Sequence, residues 1–133
     1  MEMMKIQQTM PKVYEMLEHM GRAPSMYVGA TSYRQIASFL GGYDTATGLL
    51  KGFREWLVPK AGMDYGCYHF NMLALIIAIP SCNSPRMPIP DEPLAIRTLC
   101  NLAIEFLHYK EEVGAEKIVA DYEKIHSEWY NSL

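Results

Sequence analysis

The chain has 133 residues, of which 50% are hydrophobic and 20% charged, a composition typical of one soluble globular domain spanning residues 1–133. Its net charge of −3 argues against nucleic acid as the main partner. The longest apolar run, residues 72–79, is too short to span a bilayer, which needs about 20 residues, so no membrane association is expected. The 3 cysteines cannot all pair with one another and the first residues lack a signal-peptide pattern, so we expect a cytoplasmic protein.

Two helices are predicted in the first half of the chain. Pro11 suits a first helical turn, and the apolar residues after it recur at helical spacing until Gly21. A second helix follows, capped by Thr31 or Ser32, and its apolar face extends to Leu50.

A glycine pair, Gly41–Gly42, lies inside the second predicted helix. Two glycines in a helix interior cost on the order of 1–2 kcal/mol relative to alanines. We therefore expect another backbone or a bulky ring to approach closely at this pair.

The middle of the chain combines an apolar segment with a proline-rich one. Residues 68–79 are almost wholly apolar, and their β-branched content also allows a strand. We prefer a helix because no second strand with alternating pattern is available to pair with them. Residues 80–93 contain 5 of the 8 prolines, so a long loop is expected there.

The last third of the chain predicts two more helices. Asp91 is placed to cap a helix that ends near Tyr109, and Gly114 separates it from a final helix over residues 115–131. The fold predicted from these patterns is an all-α, single-domain bundle of about five helices with a long proline-rich loop.

Residues 22–29 read Arg-Ala-Pro-Ser-Met-Tyr-Val-Gly and resemble a turn near the start of gyrase B type ATPase domains. In that family the next helix carries a Glu and, four residues on, an Asn that holds magnesium. Residues 38–44 contain neither, and the chain lacks the Asp-x-Gly-x-Gly nucleotide loop. The likeness to the ATPase family is therefore local.

The same turn followed by a Phe-Leu-x-Gly-Tyr helix resembles a group of small bacterial proteins. That group also has a mid-chain Trp, matched by Trp56, and a closing Leu-x-x-Glu-Phe helix, matched by residues 102–106. Some members resemble immunity proteins of toxin and contact-dependent inhibition systems. The resemblance implies a role in fold identity, with no catalysis, for Arg22, Pro24, Met26, Tyr27, Gly29, Gly42 and Tyr43.

Parts of this turn also have an expected structural role. Met26, Tyr27 and Val28 should close one end of the bundle, since short apolar plugs flanked by helix breakers are common in loops. Arg22 should hold the turn by hydrogen bonds to carbonyl oxygens.

No catalytic or metal-binding pattern is present in the sequence. The four histidines come from separate elements without ligand spacing, so no metal or other cofactor is expected. Cys67 lies two residues from His69, but Cys67 is more readily interpreted as a small buried hydrophobe than as a nucleophile. The sequence therefore predicts a protein that is not an enzyme.

Acidic residues accumulate near the C-terminus, where residues 105–133 carry 3 Lys/Arg against 7 Asp/Glu. Such a helix can dock on a basic surface of a cognate toxin domain, for example a nuclease cleft. An ordinary solvated helix face is the competing interpretation. The predicted toxin-binding carboxylates are Glu116, Asp121, Glu123 and Glu128, with Tyr109, Tyr122, Trp129 and Tyr130 as aromatic anchors.

Two other functions stay open at this point. One is a degenerate nucleotide-binding protein, which the gyrase-like turn raises and the missing Glu and Asn oppose. The other is a structural or regulatory homodimer, because 9 Tyr and 10 Met could supply a self-association surface.

Overall fold

The computed structural model describes residues 2–28, 32–62 and 68–132, with side chains from residue 12 onward except those of residues 27 and 28. Within these ranges the chain is all-helical, as predicted, with no strand. It forms six helices of nine residues or more and one single-turn helix, where about five were expected. They are α1 (Glu2–Arg22), α2 (Ser25–Val28), α3 (Tyr33–Thr47), α4 (Phe53–Ala61), α5 (Phe70–Ala78), α6 (Glu92–Val113) and α7 (Ala115–Asn131).

Helix α6 is the element around which the others pack. It contacts α1, α3, α4, α5 and α7, because its apolar residues recur every three or four positions and cover much of its circumference. Its buried side chains are Ala95, Ile96, Leu99, Cys100, Leu102, Ala103, Phe106 and Leu107.

Local sequence explains where α6 begins and where it ends. The predicted cap is confirmed, since the Asp91 carboxylate accepts a hydrogen bond from the Leu94 N–H at 3.1 Å. The predicted end near Tyr109 is wrong, because the helix continues to Val113 through strong helix formers. It stops at Gly114, whose φ of 82° ends the regular helical geometry.

Helix α1 runs antiparallel to α6. Near the middle of α1, the Tyr14 ring stacks on that of His108 with centroids 4.2 Å apart. At its end, a Cβ on Gly21 would lie 3.3 Å from the Cβ of Cys100, so the two helices approach closely there. The start predicted at Pro11 is wrong, because α1 already begins at Glu2 in a segment rich in helix formers.

The start of α3 is held by another helix. Ser32 occupies the N-cap position without a side-chain cap bond, and the Tyr33 N–H donates instead to Glu92 Oε2 at 2.7 Å. Helix α3 ends at Thr47, and the C-cap residue after it, Gly48, adopts a left-handed φ of 71°. Leu50 was predicted to extend the apolar face of this helix, but it is buried in the connection after it.

The predicted close approach at the glycine pair is wrong. A Cβ added at Gly41 or Gly42 would meet no atom of the described residues within 4 Å beyond its own helix. Gly41 borders an open groove, Gly42 is exposed, and the neighbouring Tyr43 is half-buried. The helical pattern locates the pair within α3 but carries no information on whether a partner element faces it.

The expected plug at residues 26–28 is wrong for Met26, whose side chain is 72% exposed in α2. Arg22 does not hold the turn as predicted; its exposed guanidinium lies 3.9 Å from the Glu18 carboxylate on the same helix. Pro24 is half-buried between α1 and α2. The side chains of Tyr27 and Val28, and all of Gly29 and Thr31, lie outside the described residues.

The apolar segment in mid-chain is a helix, as predicted. Residues 72–76 of α5 are all buried, so the helix passes through the core between α4 and α6. Residues 79–91 then connect α5 to α6 through turns and bends, and the Arg34 Nη2 donates to the Met87 carbonyl oxygen at 2.8 Å. None of the described helices is both long and apolar enough to cross a membrane.

We expect Gly41→Ala and Gly42→Ala each to raise the free energy of unfolding by about 0.5–1 kcal/mol. Alanine has the higher helix propensity, and its methyl group meets open space at both positions. Denaturant titration followed by circular dichroism measures the change. Gly52→Ala is the matched control and should destabilise, because Gly52 has a φ of 93°. A loss of stability at Gly41 would show that this position is packed after all.

Candidate functional site

Helix α7 has the bounds predicted for the last helix, and it lies on the outside of the bundle. It packs mainly against α4, with fewer contacts to α6. Ile118 is its only residue that is buried among those described. Tyr122 and Trp129 rest half-buried on the core, so most of α7 faces solvent.

The predicted carboxylates of α7 are not equivalent. Glu116, Glu123 and Glu128 are exposed, as a docking surface requires. Asp121 is half-buried, and its Oδ2 lies 3.0 Å from the Lys117 Nζ one turn earlier. This contact raises the pKa of Lys117, through the hydrogen bond and the charge of Asp121.

The predicted aromatic anchors separate into two groups. Tyr109 and Tyr122 line one groove, and the Tyr122 ring stacks on that of His126 with centroids 5.7 Å apart. Tyr130 is 72% exposed near the end of α7, away from the groove lining. Trp129 is half-buried against the core. Only the first two residues therefore belong to one concave site.

This groove lies between α4 and α7 and has a volume of about 340 Å³. We call it the α4–α7 groove. Its floor is apolar and aromatic, and its charged members are Glu55, Lys60 and Asp121. The remaining lining consists of Trp56, Pro59, Tyr109, Ile118, Tyr122 and Ile125.

Trp56 lines the α4–α7 groove, and two aromatic rings of the core pack against it. Its ring centroid lies 6.2 Å from that of Phe53 and 5.8 Å from that of Phe106. The Lys60 Nζ sits 4.3 Å from the centroid of the Trp56 ring, within cation–π distance.

Sequence reasoning missed Glu55, Trp56 and Lys60 as site residues. Trp56 and Lys60 are four residues apart on one helix, a spacing that brings a cation and an aromatic ring together. That signal was present in the sequence. The position of α7 against this face of α4 was not, because it depends on tertiary packing.

A second groove, of about 450 Å³, lies where α3 ends and α4 and α5 begin. Two of its charged side chains hold loops of the fold: the Asp44 carboxylate accepts from the Leu50 N–H at 2.7 Å, and the Arg54 Nε donates to the Tyr68 carbonyl oxygen at 2.6 Å. A third, Glu55, also lines the α4–α7 groove. His69 is exposed at the N-cap of α5. Because Asp44 and Arg54 are engaged in loop contacts, we place the candidate site in the α4–α7 groove.

The two cysteines among the described residues lie in the hydrophobic core. Cys82 and Cys100 are buried free thiols, and burial raises the pKa of Cys100 to about 12. Cys67 lies outside the described residues. Among the residues that the structure describes, no three His, Cys, Asp or Glu side chains are grouped closely enough to hold a metal ion.

No protein-family model, curated protein or solved structure matches this chain. The geometry of the site is therefore the basis for assigning a function.

In a Cys67→Ser variant, we expect the two remaining thiols to react with Ellman's reagent only at the rate of unfolding. Thiolate is the reactive species, and burial keeps the Cys100 thiol protonated at mildly alkaline pH. Absorbance of the released thionitrobenzoate measures the reaction. The denatured variant is the control and should react at once. Rapid labelling of the folded protein at Cys100 would reveal an accessible, activated thiol.

Proposed function

We propose that this protein is a non-enzymatic inhibitor of the immunity type, which binds a cognate toxin domain and covers its active surface. The partner would present a basic surface, as the cleft of a nuclease does. The proposal agrees with the motif resemblance of residues 22–43 and residues 102–106. We propose the cytoplasm as its compartment, since Cys82 and Cys100 are free thiols.

A single observation carries this proposal: α7 combines exposed carboxylates on its solvent side with a groove lined by aromatic rings on the side that packs against α4. Protein interfaces depend on a few aromatic anchors in pockets, surrounded by polar groups that exclude water. The α4–α7 groove supplies Trp56, Tyr109 and Tyr122, and α7 supplies Glu116 and Glu123 on its solvent side.

Occlusion is the mechanism that this surface supports. Complementary charge accelerates the encounter of the two proteins and disfavours partners of the wrong sign. Once docked, the helix would shield the toxin surface from its substrate without chemical change in either protein.

A homodimer is the second candidate function, favoured by the exposure of large apolar side chains. Tyr130 and Met26 are each 72% exposed. Sedimentation velocity at several concentrations distinguishes the two functions. A monomer at all concentrations is expected of an inhibitor that awaits its partner, and a concentration-dependent dimer is expected of the alternative.

We expect reversal of Glu116, Glu123 and Glu128 to Lys to slow association with the proposed toxin domain by about tenfold at low salt. All three side chains are exposed, so the fold should tolerate the change. Stopped-flow kinetics or surface plasmon resonance measures the on-rate. Added salt should also slow the wild-type protein, because ions screen charges beyond about 8 Å at physiological strength.

The matched control reverses Glu15, Glu18 and Glu105, which are also exposed and lie on α1 and α6. It changes the net charge by the same amount but leaves α7 intact. If both triple variants slow association equally, net charge alone matters and α7 is not the docking helix. An unchanged on-rate in the α7 variant would remove this helix from the interface.

A further inference from the structure

We propose that the α4–α7 groove binds an arginine side chain of the partner protein, and that Lys60 occupies this place until the partner arrives. This inference rests on the proposed function and adds to it the residue type that the partner inserts. It is drawn from the aromatic walls of the groove, the carboxylates at its rim and the position of Lys60.

The walls of the groove suit a cation. Aromatic ring faces carry negative electrostatic potential, and Trp attracts cations more strongly than Tyr or Phe. Trp56 lines the groove together with Tyr109 and Tyr122. Phe53 and Phe106 pack against Trp56, so its ring is held in place before any partner binds.

The rim of the groove has the complementary charge. Glu55 lies on α4 and Asp121 on α7, so carboxylates flank the groove from both helices. Lys117 contacts Asp121 from the side, at 3.0 Å, and is not among the residues that line the groove. A cation that enters between the two helices thus meets carboxylates beside aromatic faces.

Lys60 shows that this site accepts a cation. Its ammonium nitrogen lies 4.3 Å from the centroid of the Trp56 ring, at the spacing of one helical turn. Lys60 is an exposed residue on a long flexible stem. Exposed cation–π contacts are weak, so the side chain can swing into solvent when a better ligand arrives.

Arginine is that better ligand. Its guanidinium is planar, so it can stack on Trp56 and direct its N–H groups in the same plane towards a carboxylate. Its weaker hydration also lowers the penalty of leaving water compared with an ammonium. A partner arginine can therefore use Trp56 and Asp121 together, which Lys60 does not do in the free protein.

The test uses the whole protein and two short acetylated peptides, one carrying arginine among glycines and one carrying citrulline at the same positions. Citrulline has the shape of arginine without its charge. The readout is the indole N–H signal of Trp56 in nitrogen–proton correlation spectra, assigned with a Trp129→Phe variant. Trp129 does not line the groove, so its own indole signal is an internal control.

We expect the arginine peptide to shift the Trp56 signal in a saturable way, while the citrulline peptide and the Trp129 signal show little change. Lys60→Met should tighten peptide binding by about two- to five-fold, because the competing cation is gone. Asp121→Asn should weaken it. Circular dichroism confirms that both variants remain folded.

Either of two results would overturn the inference: a Trp56 signal that the arginine peptide does not shift, or equal shifts with the arginine and citrulline peptides. A Lys60→Met variant with unchanged or weaker affinity would likewise exclude Lys60 as the resident competitor. These results are separable from the proposed function, because toxin binding is measured with the α7 charge variants. If the toxin domain binds but the arginine peptide does not shift the Trp56 signal, only the arginine site is refuted.

Discussion

The packing of Phe106 against neighbouring aromatic rings is the interaction on which the rest of the structure depends. Its ring centroid lies 5.1 Å from that of Phe53 and 5.8 Å from that of Trp56, and Phe53 in turn lies 5.5 Å from Phe70. These contacts join α4, α5 and α6 in the core. Because aromatic pairs in such arrangements contribute beyond their buried area, they fix α4, and with it the Trp56 face that the groove presents.

Polar contacts made by α6 hold two further segments: the turn before α4 and the start of α3. The Lys110 Nζ donates to the carbonyl oxygens of Leu49 and Lys51 at 3.2 and 3.0 Å, which holds the turn leading into α4. Burial lowers the pKa of Lys110, and its hydrogen bonds offset the loss of water around the ammonium. Glu92 performs the equivalent task for α3 by accepting from the Tyr33 N–H.

Features controlled by neighbouring residues in the chain were predictable, and features controlled by packing were not. Gly114 and the periodicity after it define α7, and the Asp91 cap defines the start of α6, because both depend on local backbone chemistry. The role of Gly41 was mispredicted, since a helical pattern does not show whether a face meets another helix or a groove. The α4–α7 groove depends on how two distant helices meet.

The central claim is that α7 and the adjacent groove form the surface that meets a partner protein. Hydrogen–deuterium exchange, with and without the proposed toxin domain as partner, tests it most directly, because amide exchange locates the segments that binding protects. The account predicts that residues 115–131 gain protection, together with those of residues 53–61 that exchange in the free protein. Protection confined to residues 79–91 or to α1, with α7 unchanged, would contradict it.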